Sequence, residues 1–251
     1  MTPYQTAHIA AWLLSSALVV AVNRRQGIRP AITLAVCAIC VPTSVYAARA
    51  LDALEYWSVY TTLSDRLARG GSSIYGALFV SFAIASAYVR WCGIPPLRFL
   101  DGAAPALAMG EAISRVGCFL QGCCYGVSLS PGLETIVRSA YNVLRGDRLP
   151  QALGNTSNVL LIHPVQLYSA IAASFMTVWL LVVLRHRRFE GEAFFTFLVL
   201  YGLLRIGVAP FRAEVLESMK AFSVIFIVTG GAGIWWGRAA RRQLPVHVEA
   251  V

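Results

Sequence analysis

Residues 110–126 read GEAISRVGCFLQGCCYG, and they place an acid, an arginine and three cysteines inside an otherwise apolar segment. Glu111 precedes Arg115 by four residues, which is the better order for an ion pair along one helix. Small residues recur at the same spacing, and such a face lets a neighbouring helix approach backbone to backbone. These small residues are Gly110, Ser114, Cys118, Gly122 and Gly126. The stretch therefore predicts either a tightly packed central helix with a self-neutralised ion pair or a functional site, and the cost of ionisable residues within a membrane favours the site.

The rest of the chain shares this apolar character. Of its 251 residues, 57% are hydrophobic and only 13% are charged, against about 25% charged residues in soluble domains. Apolar runs close to the roughly 20 residues that cross a bilayer recur along the whole length. We therefore predict an all-α, polytopic membrane protein with a single integral membrane domain, residues 1–251. The seven predicted spans are 6–22, 31–48, 73–92, 103–121, 165–184, 192–211 and 221–237.

Basic residues at the ends of these runs predict the orientation. The positive-inside rule is best satisfied when the N-terminus lies outside and the C-terminus inside, because eleven arginines close to helix ends then face the cytoplasm. They are Arg24, Arg25, Arg29, Arg90, Arg98, Arg185, Arg187, Arg188, Arg238, Arg241 and Arg242. The first run is expected to be a retained helix, because arginines follow it and none precedes it. The net charge of +9 sits in these clusters and forms no stripe along a polar face, so nucleic acid is not a predicted partner.

The two longest loops fall on the outer face in this orientation. Residues 49–72 and 122–164 carry polar and aromatic side chains with mixed charge, which predicts small extramembrane elements over the helix bundle. The segment 127–162 follows the opening stretch directly, and we predict that it forms a cover or lid. Function is therefore expected at the outer face.

A second set of arginines lies near the end of the sixth span. Arg205 stands in the middle of AFFTFLVLYGLLRIGVAPFR, and Arg212 ends the same segment. Guanidinium groups are costly in hydrocarbon but suit a polar cavity that holds an anion, because they bind phosphate through two parallel hydrogen bonds. We predict that Arg115 and Arg205 converge on the headgroup of an anionic phospholipid.

Two groups of residues leave alternatives open. His163, at the start of HPVQLY, is either a structural residue at the membrane interface or a proton carrier. Cys123 and Cys124 are either a nucleophilic pair activated by a nearby arginine or small packing residues at a helix end. A metal site built from Cys118, Cys123, Cys124 and His163 is disfavoured, because adjacent cysteines on a helix point about 100° apart. We predict no metal, no cofactor and no disulfide framework.

Three segments, taken in order, resemble the prolipoprotein diacylglyceryl transferase family of bacterial inner membranes. DGAAPALAMGEAISRVGCFLQGCCYG is similar to the family signature at Arg115, Gly117, Phe119, Gly122, Tyr125 and Gly126. HPVQLY is similar to its His-Pro-Ser-Gln-Leu-Tyr, and GLLRIGVAPFR places Arg205 and Arg212 on two family arginines. GGSSIYG, residues 70–76, resembles a glycine-rich turn that ends in His-Gly, with Tyr75 in place of the histidine.

The resemblance implies transfer of a diacylglyceryl group from phosphatidylglycerol to a prolipoprotein cysteine thiol, or to a related acceptor, with release of glycerol phosphate. It implies a multi-pass protein of the bacterial inner membrane whose partners are an anionic phospholipid and the signal-peptide region of a prolipoprotein. The implied catalytic residues are Arg115, Arg205, Tyr75 and Cys123. The implied substrate-binding residues are Arg212, His163, Gln166, Cys118, Gly122 and Gly126.

Several polar positions of the family pattern are substituted in this chain. The family's two asparagines correspond to Cys118 and Gln121, its glutamate to Cys123, and its acid between the two arginines to Ala209. An alternative interpretation is therefore a non-catalytic lipid-binding membrane protein that retains the arginine pocket. Turnover of a labelled phospholipid discriminates between the two.

Overall fold

Seven long α-helices account for most of the residues that the computed structural model describes, which are 2–55, 62, 73–124, 126–127, 163–212 and 217–242. We number them in chain order. They are α1 (Pro3–Arg25), α2 (Pro30–Glu55), α3 (Ile74–Trp91), α4 (Pro96–Gln121), α5 (Val165–Arg185), α6 (Glu192–Val208) and α7 (Glu217–Arg242). A 3₁₀ turn, Ala209–Phe211, extends α6.

The prediction of an all-α membrane protein is confirmed. Six helical segments are long and apolar enough to cross a bilayer, and each overlaps one predicted span. They are Tyr4–Arg25, Pro30–Glu55, Ile74–Trp91, Val165–Arg185, Glu192–Phe211 and Ser218–Arg241. The remaining predicted span, 103–121, lies within α4, whose sequence is interrupted by Arg98, Asp101, Glu111 and Arg115 and which does not qualify by composition.

Helix α4 lies at the centre of the fold. It packs against α1, α5 and α6 and touches α3, while α7 packs on α6. A helix surrounded by protein can carry charged side chains at membrane depth, because its neighbours and not lipid surround them. The position of α4 thus explains how a helix with charged side chains along its length can lie in the centre of the bundle.

The contact between α4 and α1 depends on glycines, as predicted, but not on all of the residues predicted. A Cβ atom at Gly117 would lie 2.5 Å from the Ala7 Cβ, and one at Gly110 would lie 2.8 Å from the Ser15 Oγ. The predicted face is wrong at Gly122 and Gly126, because α4 ends at Gln121 and neither glycine lies on the helix. The close approach of the two helices thus occurs at Gly110 and Gly117, both within α4.

One end of the bundle carries the predicted cytoplasmic arginines, and we call it the basic end. The Asp101 carboxylate is fully buried there and accepts hydrogen bonds from Gly191 N (2.8 Å), Phe194 N (3.0 Å) and Arg187 Nη1 (3.1 Å). Two of these donors are backbone N–H groups at the start of α6, which have no partner within the helix. Asp101 therefore caps α6 and ties it to α4.

Candidate active site

The opposite end of the bundle, which we call the site end, gathers the residues that the sequence pattern selected. Arg115 lies near the C-terminal end of α4 and donates from Nε to the Glu111 Oε1 at 2.8 Å. The side chains of both residues are almost enclosed, at 12% and 7% exposed. The predicted ion pair along the helix is therefore present, and it lies inside the protein.

Arg205 is buried at the same end, on α6. Its Nη2 faces the Met219 Sδ at 3.8 Å, a weak acceptor, and its Nε makes no hydrogen bond to any residue in the described part of the chain. The guanidinium carbon lies 5.8 Å from the centre of the Tyr75 ring. A buried cation held by an aromatic face and a thioether retains unused donors, and buried donors without partners are rare and call for a ligand.

Tyr75 lies beneath Arg205 and is itself only 1% exposed. Its hydroxyl is 2.7 Å from the Ser223 Oγ, and Ser223 in turn donates to the Met219 carbonyl oxygen at 2.7 Å. Because the single Ser223 hydroxyl proton is used toward Met219, Tyr75 is the donor in the pair. Its ring also packs against Tyr201, Phe222 and Phe226. Tyr75 is therefore fixed between α6 and α7.

Three arginines act on one carboxylate at this end. The charges of Arg115, Arg205 and Arg212 all reach Glu111. Burial lowers the pKa of the Arg212 guanidinium, and the like charges of Arg205 and Arg115 lower it further. Mutual repulsion of this kind favours an anion that the three cations can share.

A mostly apolar cavity of about 260 Å³ lies within the bundle and reaches Glu111. It runs between α1, α2, α3, α4 and α6, with Glu111, Ser114 and Tyr201 among its lining residues and Leu78, Phe99 and Leu107 deeper along it. A polar group at the site end and a hydrocarbon tail in the cavity can thus be held together.

The chain leaves α4 through a turn that gathers three cysteines. Gly122 adopts the left-handed conformation (φ 77°), and the backbone N–H groups of Gly122 and Cys123 donate to Phe119 O and Cys118 O at 3.1 Å each. This is a Schellman motif, which folds the residue after the glycine back onto the last turn of the helix. The ligand atoms of Cys118, Cys123 and Cys124 all lie within 4.8 Å of one another. The premise that these cysteines point apart along one helix is therefore wrong.

The substrate-binding residues predicted from HPVQLY lie beside this turn. Gln166 is 2% exposed and donates from Nε2 to the Cys123 carbonyl oxygen at 2.6 Å, while its Oε1 accepts no bond from any residue within the described ranges. His163 contacts the Tyr168 hydroxyl through Nδ1 at 3.3 Å and packs against Phe211.

Backbone hydrogen bonds join the segments that surround these side chains. Gly126 forms an antiparallel bridge with Arg212, Gly126 N donates to His163 O at 3.1 Å, and His163 N donates to Val127 O at 2.9 Å. A Cβ atom at Gly126 would lie 2.7 Å from the His163 Cβ, so only glycine fits where these two segments meet. The ends of α4 and α6 and the start of α5 are thereby held in one place.

Cys124 is the exposed member of the cysteine group. Hydrogen bonds from the Cys118 and Cys123 thiols, together with the charges of Arg115 and Arg212, outweigh burial and lower its pKa to about 2. Since the thiolate is the reactive form, alkylation of Cys124 by iodoacetamide is expected to keep its rate between pH 7.5 and pH 6.

An ordinary cysteine, by contrast, loses about tenfold in rate per pH unit over this range. The measurement is mass spectrometry of the alkylated peptide from chelator-treated, reduced protein, with Cys124→Ser to assign the signal. A rate at Cys124 that falls tenfold per unit would contradict the lowered pKa.

Sequence reasoning missed two residues of the site end. Tyr4, at the start of α1, interacts electrostatically with the three cysteines and with Arg115. Tyr201 is 1% exposed on α6, and its hydroxyl has no partner within the described part of the chain, although Glu111, Arg205 and Arg115 all act on it. Tyr201 precedes Arg205 by four residues, and that spacing was the available signal.

Some predicted residues lie outside the described part of the chain. They are Tyr125, the turn 70–72 and most of the predicted lid, 128–162.

These features define a multi-pass membrane protein with a cationic site at one end of an apolar cavity. The sequence model of the prolipoprotein diacylglyceryl transferase family matches residues 2–236. The chain belongs to this family and is an enzyme of the diacylglyceryl transferase type, as the resemblance implied.

Three relatives illustrate the similarity, and each carries the name phosphatidylglycerol–prolipoprotein diacylglyceryl transferase. The protein of Parasynechococcus marenigrum is 28% identical over 224 residues, which cover 81% of this chain and 73% of the relative. That of Halalkalibacterium halodurans is 27% identical over 225 residues (84% and 74%), and that of Lysinibacillus sphaericus is 27% identical over 208 residues (79% and 74%).

Proposed function

We propose that this enzyme binds phosphatidylglycerol at the site end and transfers its diacylglyceryl group to the cysteine thiol of a prolipoprotein. The names of the relatives support the two substrates. The observation that carries the proposal is Arg205, a 9% exposed guanidinium whose Nε has no partner in the described part of the chain. A phospholipid phosphate supplies the acceptors that this group lacks.

The charges of the site suit the product of the reaction better than the substrate. The positive charges of Arg115, Arg205 and Arg212 all act on Glu111, and three guanidinium groups exceed the charge of that one carboxylate. The phosphodiester of phosphatidylglycerol bears one negative charge, and glycerol phosphate bears close to two once the bond between the glycerol carbon and the phosphate oxygen has broken. Cations that interact more strongly with the developing charge than with the starting lipid lower the barrier.

The reaction is a displacement at the glycerol carbon of the diacylglyceryl group. A carbon–sulfur bond forms to the acceptor, the carbon–oxygen bond to phosphate breaks, and the bonding electrons leave with glycerol phosphate. Arg115 and Arg205 are the proposed catalytic residues that hold the phosphate. Arg212, His163, Gln166 and the turn formed by Cys118, Gly122 and Gly126 are proposed to bind substrate around them.

The apolar cavity is the proposed site for an acyl chain. Its lining is mostly apolar, including Leu78, Phe99 and Leu107, and it also contains Glu111, the ion-pair partner of Arg115. An acyl chain that enters the cavity from the bilayer exchanges one hydrocarbon environment for another, so the cavity positions the lipid by packing and not by a hydrophobic gain. The phosphate then anchors the lipid at the site end while the tail remains within the bundle.

We further propose that α4 is the seventh membrane span and that the protein lies in the inner membrane with its N-terminus outside. The arginines of the basic end favour a cytoplasmic location for that end, since the positive-inside rule applies to residues close to helix termini. Enclosure of α4 by α1, α5 and α6 makes its charged residues tolerable at that depth. The site end then faces outward, where the signal-peptide region of a prolipoprotein would approach.

For Tyr75, predicted as a catalytic residue, we propose a positioning role through Arg205. Its ring lies under the guanidinium and its hydroxyl donates to Ser223. Tyr75→Phe retains the ring and removes one buried hydrogen bond, worth about 1 kcal/mol. We expect transfer to fall less than about tenfold in Tyr75→Phe and far more in Tyr75→Ala, with initial rates on labelled lipid as the measurement. Loss of all activity in Tyr75→Phe would instead assign the hydroxyl a chemical role.

The proposed function is tested with purified protein, phosphatidylglycerol labelled in an acyl chain, and a peptide that carries a prolipoprotein-type cysteine. Label on the peptide together with released glycerol phosphate is the expected result, and a peptide with serine in place of the cysteine is the control. Release without labelled peptide would indicate a different acceptor. Binding of the lipid without release would favour the alternative of a non-catalytic lipid-binding protein, which the substitutions at Cys123 and Ala209 suggest.

A further inference from the structure

The three cysteines at the end of α4 form the densest group of metal-ligating atoms in the described part of the chain. Their sulfur atoms lie within 4.8 Å of one another. Zinc–thiolate bonds of about 2.3 Å place the sulfurs of a tetrahedral site about 3.8 Å apart. The cluster thus needs a contraction of no more than about 1 Å, which rotation about the cysteine side-chain bonds can provide.

The backbone already holds the cysteines in this arrangement. The turn at Gly122 returns Cys123 to Cys118, with the Cys123 N–H bonded to Cys118 O at 3.1 Å. Cys124 follows in the left-handed conformation, with φ 58°. Gln166 fixes the Cys123 carbonyl from α5 with a 2.6 Å bond. Such outer contacts orient metal ligands and are a regular part of metal sites.

The charge around the cluster suits a thiolate-bound metal. Three thiolates and one divalent ion carry a net charge of −1, and the positive charges of Arg115 and Arg212 both act on Cys124. Among the described residues, no further histidine, cysteine, aspartate or glutamate belongs to the group. Three protein ligands with the fourth position open is the pattern of catalytic zinc sites, whereas structural sites have four.

We propose that Cys118, Cys123 and Cys124 bind one thiophilic d¹⁰ metal ion of the Zn²⁺ class, and that its open position takes the acceptor thiol of the peptide as a thiolate. Coordination of the acceptor thiol rests on the proposed function, whereas metal binding by the three cysteines does not. The thiol proton passes to water when the sulfur coordinates, since a metal-bound thiol is deprotonated outright. The bound sulfur then forms the bond to the glycerol carbon as glycerol phosphate leaves.

The proposal accounts for the substituted family positions. A displacement of this kind needs a deprotonated thiol, and Cys118 and Cys123 stand where the family pattern has an asparagine and a glutamate. A metal ion that lowers the pKa of the acceptor thiol removes the need for a carboxylate base at that place. The cationic phosphate site and the thiol-activating site then lie side by side at the end of α4.

The first test measures metal binding by the full-length protein in detergent, reduced and free of oxygen, with Zn²⁺ as the metal and Co²⁺ as a spectroscopic probe. One ion per chain and a thiolate–Co²⁺ charge-transfer band are expected. The triple variant C118A/C123A/C124A is expected to bind none, and C92A, which removes an exposed cysteine at the basic end, is expected to bind normally. Cys124→Ser, an exposed change that leaves the fold intact, should weaken binding at least a hundredfold.

Several outcomes would overturn the metal site. They are absence of metal from the reduced wild-type protein, equal binding by the triple variant, and a disulfide among the three cysteines in a protein that takes up no metal when reduced. Transfer of lipid at full rate in the presence of a strong chelator would retain the proposed function and reject the metal. Metal uptake without any lipid turnover would retain the site and reject the function.

The open position has a readout of its own. Addition of the cysteine peptide to the Co²⁺-loaded protein is expected to shift the charge-transfer band, and the serine peptide is expected to leave it unchanged. An identical spectrum with both peptides would overturn the acceptor-thiol step.

Discussion

Replacement of Arg115 or Arg205 by alanine is expected to lower the rate of diacylglyceryl transfer by about 100- to 1,000-fold. Loss of one preorganised donor to a developing oxyanion has effects of this size. Both guanidinium groups are almost fully enclosed, so water cannot replace them efficiently. Initial rates with labelled phosphatidylglycerol and a cysteine peptide give the measurement, and insertion into the membrane should not change.

Lysine at the same positions separates charge from geometry. Arg205→Lys keeps the positive charge but loses the planar pair of donors, and we expect most of the activity to be lost. Arg98→Lys is the matched control, because Arg98 forms a half-exposed pair with Glu190 at the basic end (2.7 Å) and should be neutral. Unaltered lipid turnover in both alanine variants would reject the phosphate site.

Asp101→Ala is expected to cause the largest loss of stability, about 3–5 kcal/mol, because it leaves a buried network without its only carboxylate. The Asp101 side chain is 0% exposed and binds two backbone N–H groups of α6 as well as Arg187, which itself donates to Gln26 Oε1 at 2.6 Å. Removal leaves the two backbone donors of α6 without an acceptor and Arg187 without its carboxylate partner. Thermal unfolding of detergent-solubilised protein, followed by loss of the monodisperse species, is the measurement.

Glu190→Ala provides the contrast at the same end of the bundle. Its ion pair with Arg98 has side chains 37% and 42% exposed, and surface pairs contribute only about 0–1 kcal/mol. A shift in melting temperature within experimental error is expected. Equal destabilisation by the two variants would show that Asp101 acts only as another surface charge.

Helix positions were predictable because the relevant physics is local. Runs of apolar residues of membrane-spanning length must hydrogen-bond their own backbone in a bilayer, and this requirement selects helices. The start of α4 was misplaced by several residues, at 103 and not Pro96, because Arg98 and Asp101 break the apolar pattern. Asp101 can lie buried within the helix because Arg187 and the start of α6 donate hydrogen bonds to its carboxylate. These partners are distant in sequence, so the segment around Asp101 does not predict them.

The site was predictable only in part. Arg115 and Arg205 stood out because charge at membrane depth is rare, and Glu111 because of its spacing from Arg115. Tyr4 and Tyr201 did not stand out, since aromatic residues in apolar runs are ordinary. The cysteine group depended on the left-handed turn at Gly122, and periodicity assumes that a helix continues. The left-handed glycine ends the helix, and this is why the cysteines lie together although helical spacing predicts that they point apart.

The hydrogen bond from His163 N to Val127 O has an evolutionary consequence for the enzyme. It brings residues 127 and 163 together, so the connection between them starts and ends at neighbouring positions of the bundle. Closing a longer excursion costs only about 0.6 kcal/mol for each doubling. A change in the number of residues between these two positions is therefore expected to cost the fold little, so relatives can differ in length here while they keep the same arrangement of helix ends.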